Sequence, residues 1–537
     1  MTEHAPTHKG LGVDGLARML RDGRITRRGF VAQAAGLLGG LAAAEGLLAR
    51  VAGAQATNKS DLVIAQSAEV PRFDPHFSTA VHAITVSFNI FDHLVSRHRD
   101  NKLYPSLATE WKLLNPTTWQ FKLRSGVKFH NGDPFTAADV KFSIERTQDP
   151  NVRGSQVRTV FTTVDRIETP DALTANFLTK KPDPLLPARL AFYGGQIMPK
   201  AYYEKVGPDE FNARPVGTGP VRFASWVKDD RLTLQAHRDY WGGKIDPDTL
   251  IFRPIPEVAP RIAALLKGEV DLITKLPPDH VDRVARHPTT KVEGALYAGL
   301  YALILDSRRP PLDNPKIKQA LSLAIDREAI VKEMWRGQGI VPNGPIAKGD
   351  THYDEMLPPL KYDPALARQR LREGAYKNEV IFLESSELVA NEKAMSETVV
   401  AMWRDVGINV KLELLEFSVV AQKIRERSLK GMRWGDPTST LRDPDGMMWR
   451  LLAPGGLQDT WRHPRFDELG EAARFSIDEA FRGQAYREMT AIMLEYCPWI
   501  PIIQPVESYG VQRYLDWKPY SDQQLEVRHF NLKFRRA

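Results

Sequence analysis

To catalyse a reaction, this chain would need a nucleophile, a metal or a tuned acid–base pair, and its sequence offers none in a recognised arrangement. There is no G-x-S-x-G elbow, no H-E-x-x-H and no G-x-x-x-x-G-K-[ST]. Gly217-Thr218-Gly219 begins like a dinucleotide fingerprint, but Pro220 follows and no third glycine arrives on time, so it reads as a turn. The lone Cys497 can neither close an intramolecular disulfide nor join a thiolate zinc cluster. His93 and His98 are five apart, a spacing that does not share a helix face, and the other histidines are scattered as structural residues are. Asp229-Asp230 falls in a turn. Neither a cofactor nor a metal is expected, and an enzyme is the weaker reading.

The elements that would position any site alternate between strand and helix. Leu62–Ala65 reads as a buried strand, and Trp119–Leu123 as another. Asn131-Gly132 marks a tight turn, and Thr136 with Asp139 supplies N-cap chemistry for a helix to Gln148. Pro260–Lys267 reads as a helix stopped by Gly268, followed by the strand Val270–Ile273. Asn314-Pro315 opens a helix that passes Ala324, restarts at Asp326 and ends at Gly337. Val380–Leu383 is a strand, Val389–Val406 a helix ended by Gly407, and Ile408–Leu415 a strand. This cadence predicts α/β lobes with a largely parallel sheet. At 537 residues the chain holds two to four domains of ~100–200 residues. Its 42% hydrophobic and 26% charged residues exclude a disordered, collagen-like or disulfide-stapled chain.

Residues 1–56 read as an export signal. Arg27-Arg28 is followed by Phe30, a mildly apolar stretch over Val31–Leu48, and the cleavable Ala54-Gln55-Ala56. Four glycines, Gln33 and Glu45 make the stretch too weakly apolar to remain in a membrane. The expectation is a cleaved twin-arginine signal, without a cysteine for a lipid anchor, that delivers a folded protein to the periplasm. Without this segment the charge is 66 basic against 62 acidic, a net +4. The basic residues are interleaved with acidic ones, which argues against nucleic-acid binding.

Four ordered blocks carry a resemblance. Leu107–Trp111 runs on through Phe121–Val140, including His130-Asn131-Gly132-Asp133-Pro134-Phe135-Thr136. Pro215-Val216-Gly217-Thr218-Gly219-Pro220 goes with Arg238-Asp239-Tyr240-Trp241-Gly242-Gly243-Lys244. Pro311-Leu312-Asp313-Asn314-Pro315 leads into Ala324-Ile325-Asp326-Arg327, and Trp461-Arg462-His463-Pro464-Arg465-Phe466-Asp467 closes the set. Over residues 58–537 the chain resembles the solute-binding proteins of ABC importers of the peptide/nickel type, bacterial extracellular solute-binding family 5.

The resemblance implies an α/β two-lobe periplasmic-binding-protein fold (type II, cluster C) with an extra inserted lobe and a hinge. Lobe I would comprise about 57–95, 200–305 and 505–537, inserted lobe II 96–199, and lobe III 306–504, with crossings near Asp306–Arg309 and Gln504. It implies a non-enzymatic receptor, most simply a monomer, that captures a peptide-like ligand and passes it to ABC permease subunits with their cytoplasmic ATPases. A cleft serving many side chains must read ligand backbone and termini. The loop Ser78–His82, with Thr79, Ala80 and Val81, would pair with ligand backbone. Asp436, in Arg433-Trp434-Gly435-Asp436-Pro437, would capture a ligand ammonium, although it sits one residue short of the family's W-x-x-D pattern. Its other reading is a turn aspartate before proline. Where similar dipeptide binders place an arginine, this chain has Glu384-Ser385-Ser386-Glu387, and Glu384 and Glu387 would favour a cationic or longer ligand over a plain dipeptide. Trp434, Trp449 and Tyr301 are either stacking walls or core packing. The same fold with a nickel chelate, opine or oligosaccharide, and an exported hydrolase, remain the alternatives.

Overall fold

The computed structural model describes residues 16, 27–38, 59–152, 155–456 and 458–535. Within the segment read as an export signal, Arg27–Leu38 is helical, while the cleavage site at Ala54–Ala56 lies outside the described residues. Among the described residues, no helix is long and apolar enough to cross a membrane.

One 12-stranded sheet organises most of the chain. From one edge it runs Val410–Leu414, Ile381–Ser385, Met432–Gly435, Tyr301–Leu305, then the 14-residue strand Trp499–Gln512. Beyond that strand come Leu272–Ile273, Asp61–Gln66, Thr249–Pro254, Arg231–Ala236 and Val221–Val227. The sheet is mixed, not largely parallel. Strands are parallel where a helix crosses between them: Val258–Lys267 after Thr249–Pro254, and Glu392–Asp405 after Ile381–Ser385. The long strand pairs antiparallel with every partner it has, because it returns from one half of the sheet into the other. Its Ile500, Ile502 and Ile503 fill a core with Leu303, Trp403 and Trp434. Its Tyr509 and Val511 fill a second core with Leu62, Ile64 and Phe252.

A separate antiparallel sheet of four strands, Ala108–Asn115, Thr118–Leu123, Thr174–Thr179 and Val164–Asp171, has its own core of Phe121, Phe177, Val140 and Ile144. The helix Ala137–Gln148 starts where its capping chemistry dictates, with the Thr136 amide donating to the Asp139 carboxylate at 2.9 Å. Asn314 caps Pro315–Leu323 by accepting from the Lys316 amide at 2.9 Å. The helix expected from Val389 begins instead at Glu392, whose carboxylate accepts from the Ser386 and Val389 amides and holds the preceding turn open.

The sequence blocks that carry the resemblance build joints. Asp92, 2% exposed, accepts from the Thr218 hydroxyl (3.0 Å), the Tyr240 hydroxyl (3.0 Å) and the Trp241 indole (2.8 Å), and pairs with Arg528 at 3.2 Å. Gly217 and Gly219 are required there, since a Cβ on either would lie 2.1 Å from the Ile90 carbonyl oxygen or 2.4 Å from that of Asn89. His463 caps the helix Pro464–Arg474 through the Phe466 amide.

Candidate functional site

The carboxyl ends of parallel strands open onto a cleft, the place where α/β sheets leave room for ligands. A first chamber of about 220 Å³ is lined by Gln66, which ends one such strand, by Lys275 just past another, and by Ala80 and Val81 at the start of the helix Val81–Ile90. Glu507, on the long strand, and Gln523 complete the wall. A second chamber of about 450 Å³ is lined by Thr79 and by arginines 189, 450 and 474. Thr79, Ala80 and Val81 are consecutive, so the loop expected to meet ligand backbone divides the two chambers. Thr79 is fixed by its amide and hydroxyl, which donate to Gln156 Oε1 at 3.0 and 3.2 Å. A third cavity of about 90 Å³, lined by Asn343, His352 and Thr490, shares no residue with either.

Asp436 follows the strand Met432–Gly435, itself parallel to Ile381–Ser385, and lies beside the first chamber. Its Oδ2 accepts from the Tyr297 hydroxyl at 2.9 Å and its Oδ1 from the Thr438 hydroxyl at 3.2 Å. Burial pushes its carboxyl up to about 6, against the opposing pull of those hydroxyls and the Lys275 charge. It is nonetheless only half-buried. Burial also raises Glu507, helped by repulsion from Asp436 and opposed by Lys275 and a hydrogen bond from Gln523. His82 is lowered by burial and by Lys275, so it is neutral at pH 7. Two carboxyl groups, Glu507 in the wall and Asp436 beside it, therefore lie within electrostatic reach of one lysine. That charge pattern fits an ammonium group. Tyr301 adjoins it: its ring packs in the core against Trp335, 5.7 Å between centroids, and Glu507 and Asp436 both act on its hydroxyl.

Several expected residues lie elsewhere. Trp434 and Trp449 are core residues, 2% and 3% exposed, and form no wall of the cleft. Side chains alternate along Met432–Gly435, which turns Met432 and Trp434 into the core, where the Trp434 indole donates to Ser396 Oγ at 2.7 Å. Arg433, on the opposite face, is buried, is lowered to about 10 by that burial, and donates to the Trp434 carbonyl. Glu384 is fully buried, ion-paired with Lys423 and accepting from the Lys430 amide at 2.7 Å, so it presents no negative charge to a ligand. Glu387 is exposed on a left-handed turn at φ 57° and lines neither chamber. Neither glutamate therefore lines a chamber in which it could select the ligand. Lys275 and Glu507 escaped the sequence reading. Glu507 carried a signal, being a carboxylate at the end of the near-continuous apolar run Trp499–Val506.

The two sides of the cleft are drawn together. Arg189 pairs with Asp445 at 3.1 Å, Asn101 donates to the Gly349 carbonyl at 3.1 Å, and Lys181 pairs with Glu471 at 2.8 Å. Among the described residues, no group of three or more His, Cys, Asp or Glu side chains is arranged to hold a metal ion.

Residues 102–459 match the family profile of the bacterial extracellular solute-binding proteins, family 5. The chain belongs to this family. Among curated relatives, this family 5 protein is 27% identical over 473 residues to heme-binding protein A of Haemophilus influenzae, covering 80% of this chain and 85% of that one. It is 26% identical over 462 residues to the dipeptide-binding protein of Escherichia coli, with the same coverage. In fold it is similar to a periplasmic binding protein of Helicobacter pylori in complex with the peptide STSA, with a TM-score of 0.77 and 24% identity over 88% of this chain and 98% of that one. It also resembles the ABC transporter substrate-binding protein CtaP of Listeria monocytogenes, with a TM-score of 0.81 and 18% identity over 89% and 100% of the two chains.

Proposed function

We propose that this protein is the substrate-binding component of an ABC importer, capturing a peptide-like solute in the cleft and delivering it to a membrane permease with its cytoplasmic ATPases. The observation that carries this reading is the chamber at the strand ends, where the carboxyl groups of Asp436 and Glu507 lie near Lys275 beside the loop Thr79–Val81. Asp436 and Glu507 hold the solute's ammonium, and Thr79–Val81 meets its backbone. Relatives named for binding dipeptides and glutathione support the solute class. Capture of the solute, as in the family's named binding proteins, is the proposed task. Closure follows from ligand contacts made on both sides of the cleft, since only a differential contact favours the shut form.

We propose the lobe division expected from sequence: 57–95, 200–305 and 505–537 for lobe I, 96–199 for the inserted lobe, and 306–504 for lobe III. The separate four-stranded sheet and the two cores shared by the long strand support that division. The protein is proposed to act in the periplasm as a monomer, after a twin-arginine signal is removed. A thermal-shift screen with di- to pentapeptides, glutathione, opines, oligosaccharides and nickel chelates tests the reading. Ligand at ~100-fold its Kd adds ~2.7 kcal/mol. Amine-bearing peptides are expected to raise Tm, and a rise confined to sugars or chelates would sink the peptide assignment.

A further inference from the structure

The third cavity, of about 90 Å³, lies apart from the cleft. One wall is a single face of the helix Glu479–Tyr496, where Arg487, Thr490, Ala491 and Leu494 recur at helical spacing. The other is the irregular chain from Asn343 to Leu357. That segment is held in shape by Asn343, whose amide donates to the Asp354 carbonyl at 2.7 Å and to the Leu357 carbonyl at 3.3 Å. Packing is loose at Gly344, where a Cβ would meet nothing nearer than the Thr490 methyl, at 3.5 Å.

Ile346, Leu357, Ala491 and Leu494 make the walls mostly apolar, and two polar groups on the helix side lack partners. Thr490 is 5% exposed, and its hydroxyl is buried without a hydrogen bond among the described residues. A buried hydroxyl left in that state costs about 1–3 kcal/mol until something bonds to it. Arg487, three residues earlier and exposed at the mouth, forms neither a hydrogen bond nor an ion pair among the described residues. Positions three apart on a helix are neighbours, about 5–6 Å between Cβ atoms, so one bound head can meet both groups. The other cationic side chains around the mouth are occupied or neutral. Lys348 pairs with Glu355 at 3.1 Å, and burial lowers His352, which is therefore neutral at pH 7. Asp354, on the opposite wall, accepts from the Met356 amide at 2.9 Å.

We propose that this cavity is a second ligand site, outside the cleft, that takes a small branched-chain carboxylate with its alkyl group inside and its head on Arg487 and the Thr490 hydroxyl. The chemistry follows from the walls, because a guanidinium fork and a hydroxyl both donate to carboxylate oxygens, and the apolar interior accepts only hydrocarbon. The size follows from the volume: the cavity is smaller than the ~150 Å³ apolar cavity that takes a benzene ring, which suits a branch of about four or five carbons. Both walls come from 343–357 and 487–494, so the site stands whether or not the cleft takes peptides.

Titration calorimetry of the purified protein with 4-methylvalerate, isoamyl alcohol, isoamylamine and acetate tests the site. 4-Methylvalerate is expected to bind about 10-fold or more tighter than the alcohol, the size of a charge-assisted contact. The amine, of the wrong charge, and acetate, without the alkyl branch, should not bind. Arg487 is exposed and unpaired among the described residues, so Arg487→Gln leaves the fold intact and should bring the acid down to the level of the alcohol. Ala491→Phe, also at an exposed helix position, fills the mouth and should abolish binding of both. Asp354→Asn removes the opposing charge, keeps an acceptor for the Met356 amide, and should tighten the acid about 2- to 5-fold. Acid binding that survives both Arg487→Gln and Ala491→Phe puts the acid in the cleft and overturns the proposal. A wild type that binds the alcohol or the amine as well as the acid, or binds no acid at all, overturns it too.

Discussion

Asp436→Asn is expected to stabilise the empty protein while weakening its hold on a cationic solute. Burial raises the Asp436 carboxyl from 3.8 to about 6. A folded value above the unfolded one means that the folded state keeps a proton the unfolded state has already released. The associated stability is full below pH 3.8 and is lost as the pH rises through 6. At pH 7 the ionised carboxylate therefore costs up to about 3 kcal/mol, two pH units at 1.36 kcal/mol each. Because Asp436 is half-buried, water screens part of this, and about 1–2 kcal/mol should be recovered in the asparagine variant. Asparagine keeps an acceptor for the Tyr297 hydroxyl, so the local structure survives. Binding should change in the opposite direction: losing a charge-assisted contact of ~1.5–3 kcal/mol weakens an amine ligand about 10- to 100-fold. In the wild type, protonating Asp436 should itself weaken binding about tenfold between pH 7 and pH 5. The variant should show a shallower slope, with Glu507 supplying what remains. Urea midpoints without ligand, and calorimetry with a bound peptide at pH 5, 6 and 7, measure both effects. An asparagine variant that is less stable at pH 7, or that keeps full affinity and the wild-type slope, would refute the argument.

Three further outcomes follow from the scaffold. Gly219→Ala drives a Cβ to 2.4 Å from the Asn89 carbonyl oxygen and should lower the urea midpoint by the equivalent of about 2–3 kcal/mol. Lys423→Met leaves the fully buried Glu384 without its cation, and a loss of about 3 kcal/mol is expected, with peptide affinity within about twofold of wild type by calorimetry. Asp92→Asn removes the charge that Arg528 pairs with at 3.2 Å and should cost about 3–5 kcal/mol, read by chemical denaturation, because both groups are buried.

Much of the scaffold was legible because the rules that set it act over a few residues. The Thr136–Asp139 cap, the Asn314-Pro315 start and the left-handed Gly268 and Gly407 stops all depend on backbone groups within one helical turn. The mixed character of the sheet was not legible, since periodicity marks a strand but not the direction of its neighbour. Trp434 shows the same limit at one residue. Alternation places Met432 and Trp434 on one face, but which face meets the core depends on Trp403 and Ser396, brought there by a different helix.

The sequence by itself determined the family and the sites of turns and caps. Its distinctive blocks turned out to be joints, because Thr218, Tyr240 and Trp241 converge on Asp92. Only the tertiary structure decided the charge of the site. Glu384 looked like an available acid until Lys423 was seen against it, and Lys275 and Glu507 looked ordinary until the strand ends brought them to Asp436. The physical reason is that capping and backbone preferences are local, whereas electrostatic partnership follows distance through space. In a sheet whose central strand is shared between two halves, topology sets that distance.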